Sequence, residues 1–480
     1  MNGNLLTTLK RPVDAASLVY FRVIFGLIMV WEVMRYSIPK GSGGKNWIEA
    51  FYIDPEWYFK YYGFEWVQPW PGDGMYWHFA VLGIAATMVT LGLLYRIASI
   101  VLFLSFTYVF LLDQARYLNH FYFVSLIAFL LCFLPANRYL ALDARIGLTK
   151  PDRRVPLWAV LAPVVLFEVV LIYAGIVKIN QDWLNLQPLT MWLGSRTHFC
   201  AFEFITDFLQ PWIGEVCLVG PLLEETWVVA IASYFAIAVH LLGAPLLLWK
   251  KTRLWVFWFY VFFHLMNAWL WNIGIFPWLT IAGTLMFFDP GWPRQLWAWI
   301  RRPGFHVPPA PPVSDTQPLR IPAERTILVC LALFLVFNVL YPLRHYAYPG
   351  DVAWTEEGHR FAWRMKLRSK DGLARFVVRD PATGQHWRVN NAEWLTYRQQ
   401  RKMPTRPDMI LQYAHRLRDE WQKQYGVADP EVYAIVWVSL NGREPQQMID
   451  PMRDLAKVER ELWPPADWIL PLTTPLPSPW

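Results

Sequence analysis

Long apolar runs recur along the first 342 residues and constrain the fold more than any other feature. A helix needs about 20 residues to cross the hydrocarbon core of a bilayer. With 55% hydrophobic residues, 17% charged residues and 29 Trp, the composition favours a membrane protein over a soluble domain. We predict nine spans, dividing one long run at Gly274 to Pro277: residues 15–36, 77–95, 97–116, 119–137, 157–178, 227–249, 253–272, 274–288 and 325–342.

Basic residues in the loops predict the orientation of these spans. Lys10 and Arg11 precede the first run, and the later basic clusters fall in every second loop. Because cytoplasmic loops are rich in Lys and Arg, the N-terminus is predicted to be cytoplasmic and the C-terminal region periplasmic, or lumenal in a eukaryote. The net charge of +7 lies in these short loops rather than along one stripe, so the expected partner is a lipid bilayer and no nucleic acid.

The character of the sequence changes near residue 345. Alternating residues predict strands in RFAWRMKLRS, LARFVVRD, HWRVN and VYAIVWVSLNG, with a turn at Asp371-Gly372, whereas PDMILQYAHRLRDEWQKQY has helical spacing. We therefore predict a polytopic α-helical membrane domain over residues 1–344, which includes a proline-rich cytoplasmic connector over residues 289–324. A C-terminal α+β, mainly β, extramembrane domain follows over residues 345–480.

The four cysteines predict neither a disulfide framework nor a metal site. Cys132 and Cys330 lie within apolar runs and are expected to be inert packing residues. Cys200 and Cys217 share one polar loop. A disulfide between them is one alternative if the loop faces an oxidising compartment. The sequence contains no CxxC pair and no HxxxH spacing, so no metal is expected.

Ionisable and amide side chains within or at the end of a span are costly and mark candidate sites. Lys178, at the end of the fifth run, has two interpretations. Its stem can pack on apolar surface while the ammonium reaches the interface. Alternatively, apolar surroundings disfavour the ammonium form, which makes the amine a usable base. Each histidine, taken alone, is expected to have a structural role. The candidate ionisable and amide residues within or at the ends of the spans are Asn119, His120, Glu168, Lys178, His240, His264 and Asn267.

Several of these residues lie in segments that resemble the vitamin K-dependent γ-glutamyl carboxylase family. YAGIVKINQDWL resembles the region around the family's active-site lysine, and LNHFYFVSLIAFLLCFLPANRYLALD and FHLMNAWLWNIGIFP resemble two further spans. WTEEGHRFAWRMKLRSKDG, RPDMILQYAHRL, VWVSLNGR, IDP and SPW match the outer domain in order. The resemblance covers residues 15–480, and its membrane part resembles the horizontally transferred transmembrane domain.

The resemblance implies a coupled reaction. A base deprotonates vitamin K hydroquinone, or another menaquinol or naphthoquinol, and O2 converts it to the epoxide through a strongly basic alkoxide. That alkoxide removes a γ-proton from a glutamate of an exported protein or peptide, and CO2 traps the carbanion. A glutamate γ-carbon is too weakly acidic for a side-chain base, so oxidation must create a stronger base away from bulk water.

The resemblance also implies roles for individual residues. Lys178 is the initiating base, His120 and Asn119 orient the quinol or stabilise its oxyanion, and His264 supports them. Met365 and Asn267 join Asn119 and His120 in binding the cofactor. The substrate-binding residues implied are His359, Arg360, Trp363 and Lys366.

Two departures from the family pattern leave alternatives open. His359 stands where the animal enzymes have a tyrosine, and WRMK replaces a methionine pair. The chain could therefore be a quinol epoxidase that does not carboxylate the usual peptide, or a non-catalytic quinone or lipid binder. No cysteine lies in the outer domain, so its attachment to the helices is also open.

Overall fold

The computed structural model describes residues 5–39, 44–196, 220–271, 273–301, 319 and 321–477. Cys200 and Cys217 lie outside these residues. Eleven helices of nine or more residues carry the fold: α1 Ala16–Ser37, α2 Gly74–Leu91, α3 Tyr95–Leu111, α4 Asn119–Leu131, α5 Leu157–Ile176, α6 Thr226–Leu241, α7 Arg253–Trp271, α8 Phe276–Thr284, α9 Trp292–Arg301, α10 Glu324–Leu340 and α11 Pro407–Tyr425. Shorter helices are Leu5–Leu9, Leu142–Arg145, Gln181–Leu184, Leu189–Gly194, Gly243–Leu248, Val352–Thr355, Asn391–Trp394 and Tyr397–Lys402.

Nine apolar helices occupy the positions of the nine predicted spans. Five of them, α1, α2, α5, α7 and α10 with its extension to Ala347, are long and apolar enough to cross a membrane, and α3, α4, α6 and α8 are shorter. A polytopic helical domain is thus confirmed, while the count of nine crossings stays a prediction. The long run 253–288 divides after Trp271, where Gly274 adopts φ +65°, a conformation that glycine reaches without a Cβ clash.

One end of the bundle gathers loops that the sequence predicts to be cytoplasmic. Strand β1 (Pro12–Asp14) pairs antiparallel with β2 (Arg154–Pro156), and Asp14 forms an ion pair with Arg294. Helices α1 and α5 start at this end and run toward the C-terminal domain. The loops before α1, α5 and α9 therefore share one side of the bundle, as the distribution of basic residues requires.

The predicted connector over residues 289–324 begins with a helix. Helix α9 follows Asp289 and carries Pro293 in its first turn, where a missing N–H is tolerated. None of its residues is buried. Residues 302–318 of the proline-rich part lie outside the described ranges.

The C-terminal domain is an antiparallel sheet covered by α11. The strand order is β4 (His386–Arg388), β3 (Lys370–Arg379), β5 (Glu431–Leu440) and β6 (Gln446–Gln447). β3 and β5 pair over ten residues, and their alternate side chains join α11 in one buried core. Helix α11 spans the residues predicted for it and ends at Gly426, which adopts φ +68°.

Three expectations about this domain were wrong in detail. RFAWRMKLRS is not a strand, because residues 360–369 form turns and irregular backbone. Asp371-Gly372 is not a turn but lies inside β3. The domain is α+β without being mainly β, since the helices Val352–Thr355 to α11 contribute at least as many residues as the four strands.

Residues 356–366, hereafter the docking segment, explain the misread alternation. Glu356, Phe361, Trp363 and Lys366 all have φ between +52° and +65°, which is unusual for non-glycine residues. The rings of Phe361 and Trp363 insert among aromatic side chains of the bundle, with Tyr122 at 4.9 and 5.0 Å between centroids. Apolar residues alternate here because they dock onto the helices, not because they form a sheet.

Candidate functional site

A largely apolar cavity of about 510 Å³ lies where α4, α5, α6 and α7 meet the docking segment. Its size is within the usual range for small-molecule sites. The cavity brings together seven of the ten residues to which the family resemblance gives a role: Asn119, His120, Lys178, His264, Asn267, Met365 and Lys366.

Lys178 is buried in this cavity and does not reach toward the interface. It follows the end of α5, its residue is 5% exposed, and its Nζ donates to the Ala174 carbonyl at 2.5 Å. The ring of Trp183 lies 5.4 Å from the nitrogen. Among the described residues, no carboxylate lies within 4 Å of Nζ. The snorkelling interpretation is therefore wrong, and within the described part of the chain the amine has no counter-ion.

Two histidines of the cavity, His264 and His120, pack against aromatic rings. His264, on α7, is 1% exposed, and neither Nδ1 nor Nε2 has a hydrogen-bond partner within the described ranges. Its ring stacks on Tyr260 at 6.0 Å. His120, the second residue of α4, packs on Phe276 at 6.1 Å. Buried polar atoms are normally satisfied, so the orphaned nitrogens of His264 indicate a place for a polar ligand group.

Two amides flank the histidines. Asn119 accepts from the Tyr117 hydroxyl at 2.9 Å and donates to the Arg364 carbonyl at 3.4 Å, which links the start of α4 to the docking segment. Asn267 donates to the Phe263 carbonyl at 2.7 Å. The protein holds both ends of the Asn119 amide and the nitrogen end of the Asn267 amide, which fixes the direction of each side chain in the cavity.

Lys366 enters the cavity from the docking segment between two indole rings. Its Nζ lies 5.0 Å from the ring centroid of Trp192 and 4.9 Å from that of Trp271, a cation–π arrangement. Burial, and then the nearby Arg196, lower the pKa of Lys366 to about 8. The sequence did not single out either tryptophan, because both lie far from Lys366 along the chain.

The other three nominated residues lie outside the cavity. His359 is 3% exposed and accepts from Arg368, which also binds Glu356; burial, and then Arg368, hold the pKa of His359 well below its usual value. Arg360 pairs with Asp408 at 3.3 Å and lines a separate polar cleft of about 650 Å³. Trp363 is fully buried against the rings of Tyr122 and Phe123.

A buried ion pair, which the sequence did not reveal, joins the Lys178 loop to the C-terminal domain. Both carboxylate oxygens of Asp182 accept from the Arg443 guanidinium at 2.7 Å, and Asn441 donates to the same carboxylate at 2.7 Å. Asn441 also bonds the backbone of Ser369. These contacts therefore hold the loop after Lys178, the end of β5 and the chain just after the docking segment together.

Within the described residues, no group of three or more His, Cys, Asp or Glu side chains could hold a metal ion. The cavity instead offers two amines, three imidazoles and two amides around apolar walls. This combination suits an organic ligand with polar groups on a flat apolar body.

The fold and the site define a class, a polytopic helical membrane protein whose extramembrane α+β domain covers an apolar cavity. Residues 10–292, more than half of the chain, match the model of the HTTM domain. Residues 323–475 match the model of the vitamin K-dependent gamma-carboxylase lumenal domain. The chain belongs to the vitamin K-dependent γ-glutamyl carboxylase family. No solved structure matches it significantly.

Membership confirms the coarser expectations. The chain is an integral membrane protein of the carboxylase type, with an extracytoplasmic C-terminal domain. The family implies vitamin K hydroquinone as the cofactor and a glutamate-containing substrate.

Proposed function

We propose that this protein oxidises vitamin K hydroquinone, or a related naphthoquinol, with O2 and uses the base so formed to carboxylate glutamate residues of an exported protein or peptide with CO2. The observation that carries the proposal is the apolar cavity in which Lys178 has no counter-ion among the residues that the structure describes. A flat ring with two hydroxyl groups fits apolar walls that carry a few polar groups, and the orphaned nitrogens of His264 supply unmet hydrogen bonds.

Lys178 would accept a proton from a quinol hydroxyl, because among the described residues its amine contacts a carbonyl and an indole face and no carboxylate. His120 and Asn119, the first two residues of α4, would hold that hydroxyl and stabilise negative charge on its oxygen. His264 and Asn267 contact the ligand from α7, and Met365 packs against its ring. When bound, the quinol supplies, with O2, the strong base that no side chain provides.

Lys366 is positioned to hold the glutamate carboxylate. It is the cation that the docking segment places in the cavity, and charge-assisted hydrogen bonds to carboxylates are strong in apolar surroundings. The docking segment and the Asp182–Arg443 ion pair then align this cation with Lys178. Carbon dioxide, being small and apolar, needs no dedicated charged site.

A second candidate is a quinol epoxidase without the carboxylation of the usual peptide. The observation that favours it is the engagement of His359, Arg360 and Trp363 in contacts of their own, which leaves Lys366 as the nominated substrate residue in the cavity.

One assay separates these functions. The purified protein in lipid nanodiscs is incubated with reduced vitamin K, O2, a glutamyl peptide and labelled bicarbonate. Epoxide together with peptide-bound label supports the carboxylase, and epoxide without label supports the epoxidase. Absence of oxygen-dependent quinol consumption would instead indicate a non-catalytic quinone or lipid binder.

A further inference from the structure

His240 lines the cavity that holds Lys178 but has no role in the chemistry described so far. It is the penultimate residue of α6 and is 4% exposed. Its Nδ1 lies 2.6 Å from the Ala236 carbonyl oxygen. A carbonyl can only accept, so Nδ1 carries the hydrogen and the neutral ring keeps a lone pair on Nε2. Within the described ranges, this Nε2 has no hydrogen-bond partner.

Gly175 allows α6 to approach the Lys178 end of α5. A Cβ at residue 175 would lie 2.7 Å from Leu241 Cδ2 and 3.1 Å from His240 Cβ, so a larger side chain would push the two helices apart. Gly175 precedes Lys178 by less than one helical turn. His240 and Lys178 consequently line the same cavity from neighbouring ends of α6 and α5.

The proposed function leaves a proton on Lys178 in every turnover. The ammonium so formed has the Ala174 carbonyl and the Trp183 ring as its neighbours, neither of which can accept a proton. Lys178 must lose this proton before it can act as a base again. The apolar surroundings provide few acceptors for it.

Besides Lys178, the titratable groups around His240 are Tyr260 and His264, both on α7. The Tyr260 hydroxyl donates to the Val239 carbonyl at 2.8 Å, so its hydrogen is already engaged. His264 contacts Phe263 at 5.2 Å between ring centroids, and His240 contacts the same ring at 5.0 Å. His240 is therefore the neutral base that packs directly against the Lys178 end of α5.

We propose that His240 Nε2 accepts the proton from the Lys178 ammonium after each turnover, through a water molecule in the cavity that both side chains line, and so restores the neutral amine. One N–H bond breaks at Lys178 and one forms at His240 Nε2, and His240 then releases the proton to water; no oxidant, reductant or further reactant is required. This inference rests on the proposed function, because it requires Lys178 to act as the base. His240 acts through Lys178 and is a positioning residue rather than a catalytic one.

The test uses two variants that separate the two ring nitrogens. His240→Asn keeps a donor for the Ala236 carbonyl, as Asn267 and Asn338 do toward Phe263 and Phe334 in this bundle, but removes the basic nitrogen. His240→Gln removes the short side-chain bond and leaves a non-basic amide farther out. His78→Gln on α2, whose ring bonds the Ser105 carbonyl away from the cavity, is the control.

The full-length variants in nanodiscs are compared with wild type in a single turnover with limiting quinol and in steady state with excess quinol. We expect His240→Asn to keep a first-turnover rate within about twofold of wild type and to lose about tenfold or more in steady-state epoxide formation, on the scale of a lost proton transfer. Added imidazole should restore part of the steady-state rate.

Two results would overturn the inference. A wild-type steady-state rate in His240→Asn, with impairment only in His240→Gln, would show that Nδ1 matters structurally and Nε2 does not. Equal slowing of the first turnover and the steady state would likewise indicate a structural role. If the wild-type protein consumes no quinol, the proposed function fails and this inference with it.

Discussion

The apolar cavity and the polar cleft lie at the two ends of the docking segment and treat charge in opposite ways. In the cleft, Asp408 accepts from Arg460 at 2.7 Å and from Arg360 at 3.3 Å, so opposite charges are already paired. In the cavity, Lys178 has no carboxylate partner within the described ranges, and neither nitrogen of His264 has a hydrogen-bond partner there.

This difference separates attachment from chemistry. Paired charges such as Asp182 with Arg443 offset the cost of burial and hold domains together, whereas a buried group without a partner is costly and is retained for what it does. We therefore assign the proposed chemistry to the cavity and the attachment of the domains to the paired groups around it. The following four predictions test that separation, from the largest expected effect to the smallest.

The first prediction removes the unpaired amine. Lys178→Ala should lower the initial rate of oxygen-dependent epoxide formation by about 10²- to 10⁴-fold, the usual contribution of a general base. Lys250→Ala, in an exposed loop and not among the residues that line the cavity, is the matched control and should retain the wild-type rate. A Lys178→Ala rate within tenfold of wild type would mean that another group deprotonates the quinol.

The second prediction breaks a paired charge. Arg443→Ala leaves the Asp182 carboxylate buried without its partner, so the free energy of unfolding should fall by about 3–5 kcal/mol. Denaturant unfolding in detergent measures the change. Arg453→Ala removes the pair with Asp467, whose side chains are 47% and 74% exposed, and should cost less than about 1 kcal/mol. Equal losses in both variants would contradict the scaffold role of Asp182 with Arg443.

The third prediction concerns the orphaned imidazole. His264→Phe replaces a buried polar ring by an apolar one of similar shape, so the ligand-free protein should become more stable by about 1–3 kcal/mol. The same variant should bind the quinol more weakly, seen as a smaller quinol-induced rise in Tm. A loss of ligand-free stability would instead show that the ring nitrogens are satisfied.

The fourth prediction uses pH to test Lys366. Because the pKa of Lys366 is lowered to about 8, the side chain is a cation below that pH and neutral above it. The KM for the glutamyl peptide should therefore rise about tenfold between pH 7 and pH 9.5, the scale of one hydrogen bond to a charged group. Lys366→Met should show a high, pH-independent KM, and Lys366→Arg a low one across the same range. A pH-dependent KM in Lys366→Met would assign the titration to another residue.

Local patterns predicted the parts of the molecule whose structure depends on nearby residues. Helix α11 spans the residues expected from its apolar spacing, and α1, α5, α7 and α10 match predicted spans to within two residues at either end. Backbone hydrogen bonding within an apolar helix is satisfied locally, so such elements can be read from a short window. The candidate site was predicted less completely than the helices, because the sequence nominated the polar residues of the cavity but not the tryptophans beside Lys366.

The docking segment shows where such patterns fail. Alternation in RFAWRMKLRS predicts a strand, yet Phe361 and Trp363 turn into the bundle through left-handed backbone conformations. Any backbone that buries every second residue shows the same alternation, whether it is a strand or an irregular segment. The surface against which the segment packs decides which of these conformations forms. That surface is built by α3 and α4, more than 200 residues earlier in the chain.

The sequence by itself determined that the chain is a membrane-embedded helical protein with an outer α+β domain, because hydrophobic length and periodicity are local quantities. It also determined which costly side chains lie within or beside the spans. Whether Lys178 reaches the interface or stays buried was decided by the tertiary structure alone. Asp182 and Arg443 are 261 residues apart, and their pairing closes the outer domain over the amine. The burial of a side chain depends on the segments that pack against it. For Lys178, part of that packing comes from the C-terminal domain, at the other end of the chain.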